Sequence, residues 1–82
     1  MNFKSIDQLY SDFENIKEAY EKLNIALFAK NDCEKLLPYV ESYLCYATVN
    51  KADEETLVQL SALVYQIKEY IEYLETFITA EV

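Results

Sequence analysis

The sequence predicts an all-α fold, a three-helix antiparallel bundle in the order long, short, long, with coiled-coil-like seams. Along two long segments, apolar residues recur at alternating intervals of three and four, a heptad spacing typical of packed helices. No segment shows the strict alternation of a strand, and polar breaks with capping residues separate the segments. We expect a single helical domain over residues 1–82.

The first helix is predicted over about residues 5–30. Ser5 is a good N-cap, and Gln8 three residues later completes a capping-box pattern. Ile25 and Phe28 lie outside the seam, so we expect something beyond one partner helix to cover that end. The seam positions are Ile6, Leu9, Phe13, Ile16, Tyr20, Leu23 and Leu27.

The second helix is predicted over about residues 32–49, after a break at Asn31-Asp32. Asn31 with Glu34 forms another capping-box pattern. Pro38 leaves two alternatives, because proline inside a helix removes a hydrogen bond and clashes with the preceding turn. Either residues 32–37 form a separate turn and Pro38 opens the main helix, or the helix is kinked.

The third helix is predicted over about residues 53–80. Asp53 is the expected N-cap, and Glu54 and Glu55 place negative charge where the helix dipole favours it. Its seam repeats the three-four spacing of the first helix. The seam positions are Leu57, Leu60, Val64, Ile67, Ile71, Leu74 and Ile78.

These lengths predict a bundle whose ends are uneven. Taken as about 25 residues each, the long helices measure about 38 Å, and the middle helix, taken as about 15 residues, measures about 23 Å at 1.5 Å per residue. The N-terminal half of the first helix and the C-terminal half of the third are therefore expected to stay uncovered. Because large apolar surfaces rarely remain exposed in soluble monomers, we expect a homodimer when the chain is alone.

The expected partner-binding surface combines those uncovered ends with interfacial tyrosines. Tyrosine is enriched at protein interfaces because it offers apolar area with a polar tip. The residues are Leu9, Tyr10, Phe13, Tyr39, Tyr43, Tyr46, Tyr70, Ile71, Leu74, Phe77 and Ile78.

The charge is strongly acidic, with a net value of −8 and lysine as the only basic residue. Residues 52–82 carry seven acids and one lysine. We therefore expect no nucleic-acid binding and no binding to anionic membranes, while basic protein partners remain open. An acidic surface that only keeps the protein soluble is the simpler interpretation.

The composition excludes most catalytic and cofactor chemistry. The chain has no His, no Gly and no Arg, so it lacks an imidazole base, a glycine-rich phosphate loop and a guanidinium fork. We predict no enzyme activity, no cofactor and no metal. Cys33 and Cys45 stand twelve residues apart, too far for a disulfide within one helix, so free thiols and a cytoplasmic location are expected. No secretion signal or membrane-spanning run is visible.

The order of segments resembles a known family of chaperones. A charged break with a Leu-Leu pair at residues 31–37, a short helix through residues 41–44 and an apolar third helix over residues 60–77 look like the core of FliT-like flagellar export chaperones. The resemblance implies a small, acidic cytosolic chaperone that holds the amphipathic helix of an export substrate. Pro38 and the end at Val82, without the family's fourth regulatory helix, depart from it. Short type III secretion chaperones of the helical-hairpin kind fit the composition nearly as well.

Two functions therefore follow as hypotheses. The first is a cytosolic helical adaptor or chaperone that binds an amphipathic helix of a partner protein. The alternative is an acidic inhibitor, an immunity protein, antitoxin-like partner or nucleic-acid mimic, that blocks a basic surface. Ionic strength discriminates between them, because an electrostatic complex weakens steeply with salt.

Overall fold

Three helices make up the computed structural model, which describes residues 3–80 except the side chains of residues 79 and 80. They are α1 (Ile6–Leu23), α2 (Ala26–Val49) and α3 (Glu54–Ala80). No strand occurs within residues 3–80. The all-α three-helix bundle predicted from the sequence is confirmed.

The α2–α3 pair forms the most extensive contact in the bundle and is antiparallel. Two ion pairs cross it, Glu41 with Lys68 and Lys30 with Glu75, each with an N–O distance of 3.7 Å. The later residue of α2 thus meets the earlier residue of α3, as antiparallel neighbours require.

Helix α1 runs alongside α3 in the same direction. Near its start, the Tyr10 hydroxyl donates to the Gln59 carbonyl oxygen at 2.9 Å. Near its end, the rings of Tyr20 and Phe77 have centroids 6.4 Å apart. The helices therefore run up, down and up in a rod measuring 45 × 20 × 19 Å.

The predicted junction between the first two helices is wrong. Helix α1 ends at Leu23 rather than near residue 30, and α2 begins at Ala26 rather than near residue 32. Asn24 ends α1 in the left-handed conformation, with φ of 56° and ψ of 35°, and its N–H donates to the Tyr20 carbonyl oxygen at 2.7 Å. In a chain without glycine, asparagine is the residue that takes this conformation most readily.

The predicted order long, short, long is also wrong. The helices contain 18, 24 and 27 residues, so the first is the shortest. The early break transfers Ala26–Lys30 from the first helix to the second, which then spans about 36 Å. Helix α2 is therefore long enough to cover both of its neighbours.

Pro38 lies inside α2, and the helix continues through it. The alternative in which residues 32–37 form a separate turn is wrong, whereas one helix passing through Pro38 agrees with the other alternative. Asn31 and Asp32 are helix-interior residues, so the break predicted there is absent and the capping-box pattern with Glu34 has no counterpart. Pro38 is exposed, so water can hydrate the carbonyl that loses its partner.

The predicted N-caps of the other two helices are confirmed. The Ser5 hydroxyl accepts a hydrogen bond from the Gln8 N–H at 3.1 Å. The Asp53 carboxylate accepts one from the Thr56 N–H at 3.1 Å. Hydrogen bonding to Thr56, first to its side chain and then to its backbone N–H, lowers the pKa of Asp53. Both caps satisfy N–H groups that the first helical turn leaves without partners.

The core contains seam residues from α1 and α3 and one face of α2. The prediction that the ends of the long helices remain uncovered is wrong for Leu9, Phe13 and Leu74, which are buried within the chain, whereas Phe77 is exposed as expected. Leu74 packs against Ala26 and Ala29, which the early break places on α2. The main cluster consists of Leu9, Phe13, Cys33, Val40, Ala47, Leu60, Leu63, Val64 and Ile67.

Candidate interaction surface

The turn between α1 and α2 carries large apolar side chains that the bundle leaves in solvent. Leu23 is 64% exposed, Phe28 is 59% exposed, and Ile25 between them is exposed as well. We call these three residues the turn patch. Leu27 is also exposed, on a different side of α2's first turn. Contiguous apolar surface of this kind is typical of a binding site.

Backbone geometry explains why the turn patch points outward. Asn24 in the left-handed conformation and Ile25 in an extended one, with φ of −110° and ψ of 93°, reverse the chain in two residues. Ile25 serves as the N-cap of α2 without a side-chain hydrogen bond. A tight turn leaves no loop to fold back over the apolar residues that flank it.

A groove between α1 and α2, lined in part by the turn patch, has a volume of about 130 Å³. Two small residues, Ala19 on α1 and Ala29 on α2, leave the room for it. Its lining residues are apolar apart from Tyr20 and Asp32. The lining residues are Ile16, Ala19, Tyr20, Leu23, Ile25, Phe28, Ala29 and Asp32.

A shallower and more polar groove continues along the same two helices. It shares Ile16 and Asp32 with the first groove and reaches Tyr39. Its Asp12 carboxylate accepts from the Gln8 amide at 2.8 Å and from the Lys4 ammonium at 3.1 Å, and both interactions lower the pKa of Asp12. The α1–α2 surface is thus apolar at the turn and polar towards Tyr39.

The residues predicted to bind a partner fall into three groups. Leu9, Phe13 and Leu74 are buried, so none of them offers free surface on the single chain. Tyr46 and Phe77 are exposed. The half-buried members are Tyr10, Tyr39, Tyr43, Tyr70, Ile71 and Ile78.

The tyrosines of α2 are covered by the chain's own N-terminal segment. The Phe3 ring stacks on Tyr43 at 4.6 Å between centroids, meets Tyr39 edge-on at 5.6 Å and lies 5.4 Å from Tyr46. The Lys4 N–H donates to the Tyr39 hydroxyl at 2.8 Å. Much of the tyrosine surface expected to meet a partner is therefore used within the chain.

A second aromatic cluster joins the ends of α1 and α3. Tyr70 meets Phe13 edge-on at 5.7 Å and Tyr20 at 6.5 Å, and Tyr73 continues the cluster to Phe77. Burial, followed by neighbouring negative charge that includes Cys33, raises the pKa of Tyr70 to about 12. Because Tyr20 also lines the groove, this cluster supports one of its walls.

An acidic strip runs along the outer face of α3. Tyr65 is 62% exposed, and Glu69 and Glu72 lie one and two turns further along. Hydrogen bonding to Glu69, then the charges of Glu69 and Glu72, raise the pKa of Tyr65. The strip is the surface on which the inhibitor hypothesis depends.

The cysteines differ in their surroundings. Cys33 is buried and Cys45 is exposed, and both are free thiols. Burial, followed by the charges of Asp32 and Glu34, raises the pKa of Cys33 to about 11. A thiol held in its neutral form is a poor nucleophile and a poor metal ligand.

Within residues 3–80, no three His, Cys, Asp or Glu side chains come together in a way that could hold a metal ion. None of the helices there is both long and apolar enough to cross a bilayer.

The turn patch is the feature that sequence reasoning placed incorrectly. The sequence did mark Ile25 and Phe28 as apolar residues outside the seam. With the break predicted at Asn31, however, they belonged to the last turns of α1 rather than to an exposed turn. Asn24 was the available signal, since asparagine is the usual substitute for a C-terminal glycine.

Comparison with protein-family models, with curated proteins and with solved structures finds no match to this chain. The functional interpretation therefore depends on the surface itself.

Proposed function

We propose that this protein is a small helical adaptor or chaperone that binds an amphipathic helix of a partner protein at the turn patch. The observation that carries the proposal is the apolar groove between α1 and α2, which exposed Leu23, Ile25 and Phe28 help to line. A helix laid into a hydrophobic groove is a recurring mode of peptide recognition. Covering an apolar side chain the size of Leu or Phe contributes about 1.5–3 kcal/mol.

An export chaperone of the FliT-like kind is one form of this proposal. The acidic three-helix arrangement supports it, whereas the short first helix departs from the expected order. The proposal puts the protein in the cytoplasm, where free thiols such as those of Cys33 and Cys45 persist. It assigns binding and no catalytic residue.

The acidic inhibitor is the second candidate, and the acidic strip of α3 favours it. Tyr65, Glu69 and Glu72 offer an exposed aromatic ring beside two carboxylates. A basic partner surface would be attracted to them, and the complex would weaken with salt.

Site-specific photo-crosslinking in the source organism separates the two candidates. A benzoylphenylalanine replaces Phe28 in one variant and Tyr65 in the other, two aromatic residues with nearly equal exposure of 59% and 62%. Crosslinks from position 28 are expected to reach a partner segment with apolar residues at helical spacing. The second substitution Leu23→Asp is expected to abolish them.

The other outcomes identify other occupants. Crosslinks from position 65 but not from position 28 would contradict the adaptor proposal and favour the inhibitor. Crosslinks from position 28 to a second copy alone would show that this surface serves the homodimer expected from the sequence. The buried Phe13 and Leu74 no longer support that dimer, and two chains of net charge −8 repel each other.

A further inference from the structure

Given the proposed function, on which this inference rests, the residues around the groove determine the chemistry of the partner helix. We propose that the groove binds a cationic amphipathic helix: one large apolar side chain enters the groove, and a Lys or Arg one turn away on the same helix pairs with Asp32. The juxtaposition of the turn patch, the groove and Asp32 carries this inference.

The groove has the size of one side chain. An apolar cavity of roughly 150 Å³ accommodates benzene. The groove measures about 130 Å³ and is lined mainly by aliphatic and aromatic groups. It therefore suits a single Leu, Ile, Met or Phe side chain, which helix-in-groove complexes use as an anchor.

Asp32 is the acidic residue that lines this groove, and it also lines the adjoining groove together with Lys35, one turn further along α2. Among residues 3–80, no lysine ammonium, that of Lys35 included, lies within 4.0 Å of the Asp32 carboxylate. Lys30, on the same helix, pairs instead with Glu34 and Glu75. In the neighbouring groove, by contrast, Asp12 is held by Lys4. Asp32 is therefore available to a cation from a partner.

The position of Asp32 within α2 supports a role outside folding. Aspartate is a poor helix former away from the N-terminus, and Asp32 is the seventh residue of α2. It makes no ion pair within residues 3–80 that offsets this preference. Local choices that oppose the fold without a compensating contact are expected at functional sites.

The distance between Phe28 and Asp32 on α2 determines how far apart the matching residues on the partner helix must be. Phe28 and Asp32 are four residues apart, one helical turn or about 6 Å. On a partner helix lying along the groove, the apolar anchor and the cation must therefore be three or four residues apart. The two grooves together extend from Phe28 to Tyr39, about 16 Å, which matches three turns of helix.

A phage-displayed library of 14-residue helix-forming peptides, selected against the full chain, tests this pattern. The wild-type chain is expected to select peptides with a large apolar residue. Among the selected peptides, Lys or Arg three or four positions from that residue should be at least tenfold more frequent than in the starting library. Asp32→Asn is expected to keep the apolar preference and lose the cationic one, and Asp32→Lys to favour Glu or Asp at that position. Glu18→Gln is the matched control, because it removes the same charge from the opposite face of α1 and leaves the cationic preference intact.

The contrary outcomes distinguish a failure of the role proposed for Asp32 from a failure of the groove as a binding site. Apolar enrichment without a cation, or a cationic preference that survives Asp32→Asn, would overturn the role of Asp32 while the groove remains a binding site. Absence of any enrichment, or enrichment that persists in Phe28→Asp, would overturn the proposed function together with this inference.

Discussion

The ring of Phe3 stacks on the ring of Tyr43, with centroids 4.6 Å apart and planes inclined by 14°. This contact joins the segment before α1 to the middle of α2, forty residues later in the chain. It distinguishes Phe3 from Phe28, which the same fold leaves in solvent.

Phe3→Ala is expected to lower the free energy of unfolding by about 1–2 kcal/mol, because it removes the stacking and uncovers the tyrosines. Phe28→Ala is the matched control and should change it by less than about 0.5 kcal/mol, since the ring is mainly solvated. Urea denaturation measures both. Equal losses in the two variants would contradict the placement of Phe3.

Asn24 is expected to tolerate glycine and to resist a branched residue. Its positive φ of 56° suits Gly, so Asn24→Gly should keep or slightly raise the melting temperature. Asn24→Val should lower stability by about 1–2 kcal/mol, because a β-branched side chain opposes the left-handed conformation. A fully stable Asn24→Val variant would show that the break lies elsewhere.

Leu74→Ala is expected to cost about 2–4 kcal/mol, since the side chain is 0% exposed and packs against Ala26 and Ala29. Because these contacts lie within one chain, the loss should be the same at all protein concentrations. Denaturation at 2 and 200 µM, on the order of a hundredfold apart, provides the check. If the loss of unfolding free energy in Leu74→Ala increased with protein concentration, Leu74 would lie at an interface between chains.

The free energy of unfolding is expected to fall at alkaline pH because of Cys33. The pKa of its thiol is raised from 9.0 to about 11 in the folded chain, mainly by burial. The folded state thus binds the proton more tightly than the unfolded state, and the associated stability is complete below pH 9 and lost as pH rises towards 11. The loss amounts to at most about 3 kcal/mol.

Urea midpoints measured between pH 8 and pH 10.5 test this dependence. Tyr70, with a pKa raised to about 12, adds a loss in the same direction above pH 10, so Cys33→Ala isolates the contribution of the thiol. The variant should show a shallower decline than the wild type. Identical slopes would mean that Cys33 does not titrate in this range.

Most of the two seams was predictable because the signal is local and periodic. The exceptions are Leu23 and Leu27, the last positions assigned to the first seam, which are exposed because α1 ends at Leu23. Leu9 and Phe13 on α1, and Leu60, Ile67 and Leu74 on α3, are buried as the heptad spacing indicates. The caps Ser5 and Asp53 were predictable for the same reason, since the capping residue and the N–H that it accepts from are three positions apart.

The junction of α1 and α2 was not predictable by the same rules. Asn24 and Asn31 are both plausible breaks from local sequence, and Asn31 has the additional capping-box partner Glu34. Tertiary packing decides between them: a break at Asn24 allows Ala26 and Ala29 to pack against Leu74. Pro38 then lies within α2 at an exposed position, where its missing hydrogen bond is tolerated.

The candidate site depended on that junction and was therefore misplaced. Once residues 26–30 belong to α2, Phe13 and Leu74 enter the core and the turn patch becomes the exposed apolar surface. The resemblance to FliT-like chaperones, drawn from helix order, did not locate it. The acidic character of the surface, by contrast, was evident from composition.

The affinity of the Phe28→Asp variant for the partner segment tests the central claim most directly. Isothermal titration calorimetry would use a synthetic peptide of the segment crosslinked from position 28. We predict at least a hundredfold weaker binding with the free energy of unfolding changed by less than about 1 kcal/mol, because Phe28 is exposed on the free chain. Unchanged affinity in this variant would contradict the assignment of the turn patch as the binding surface.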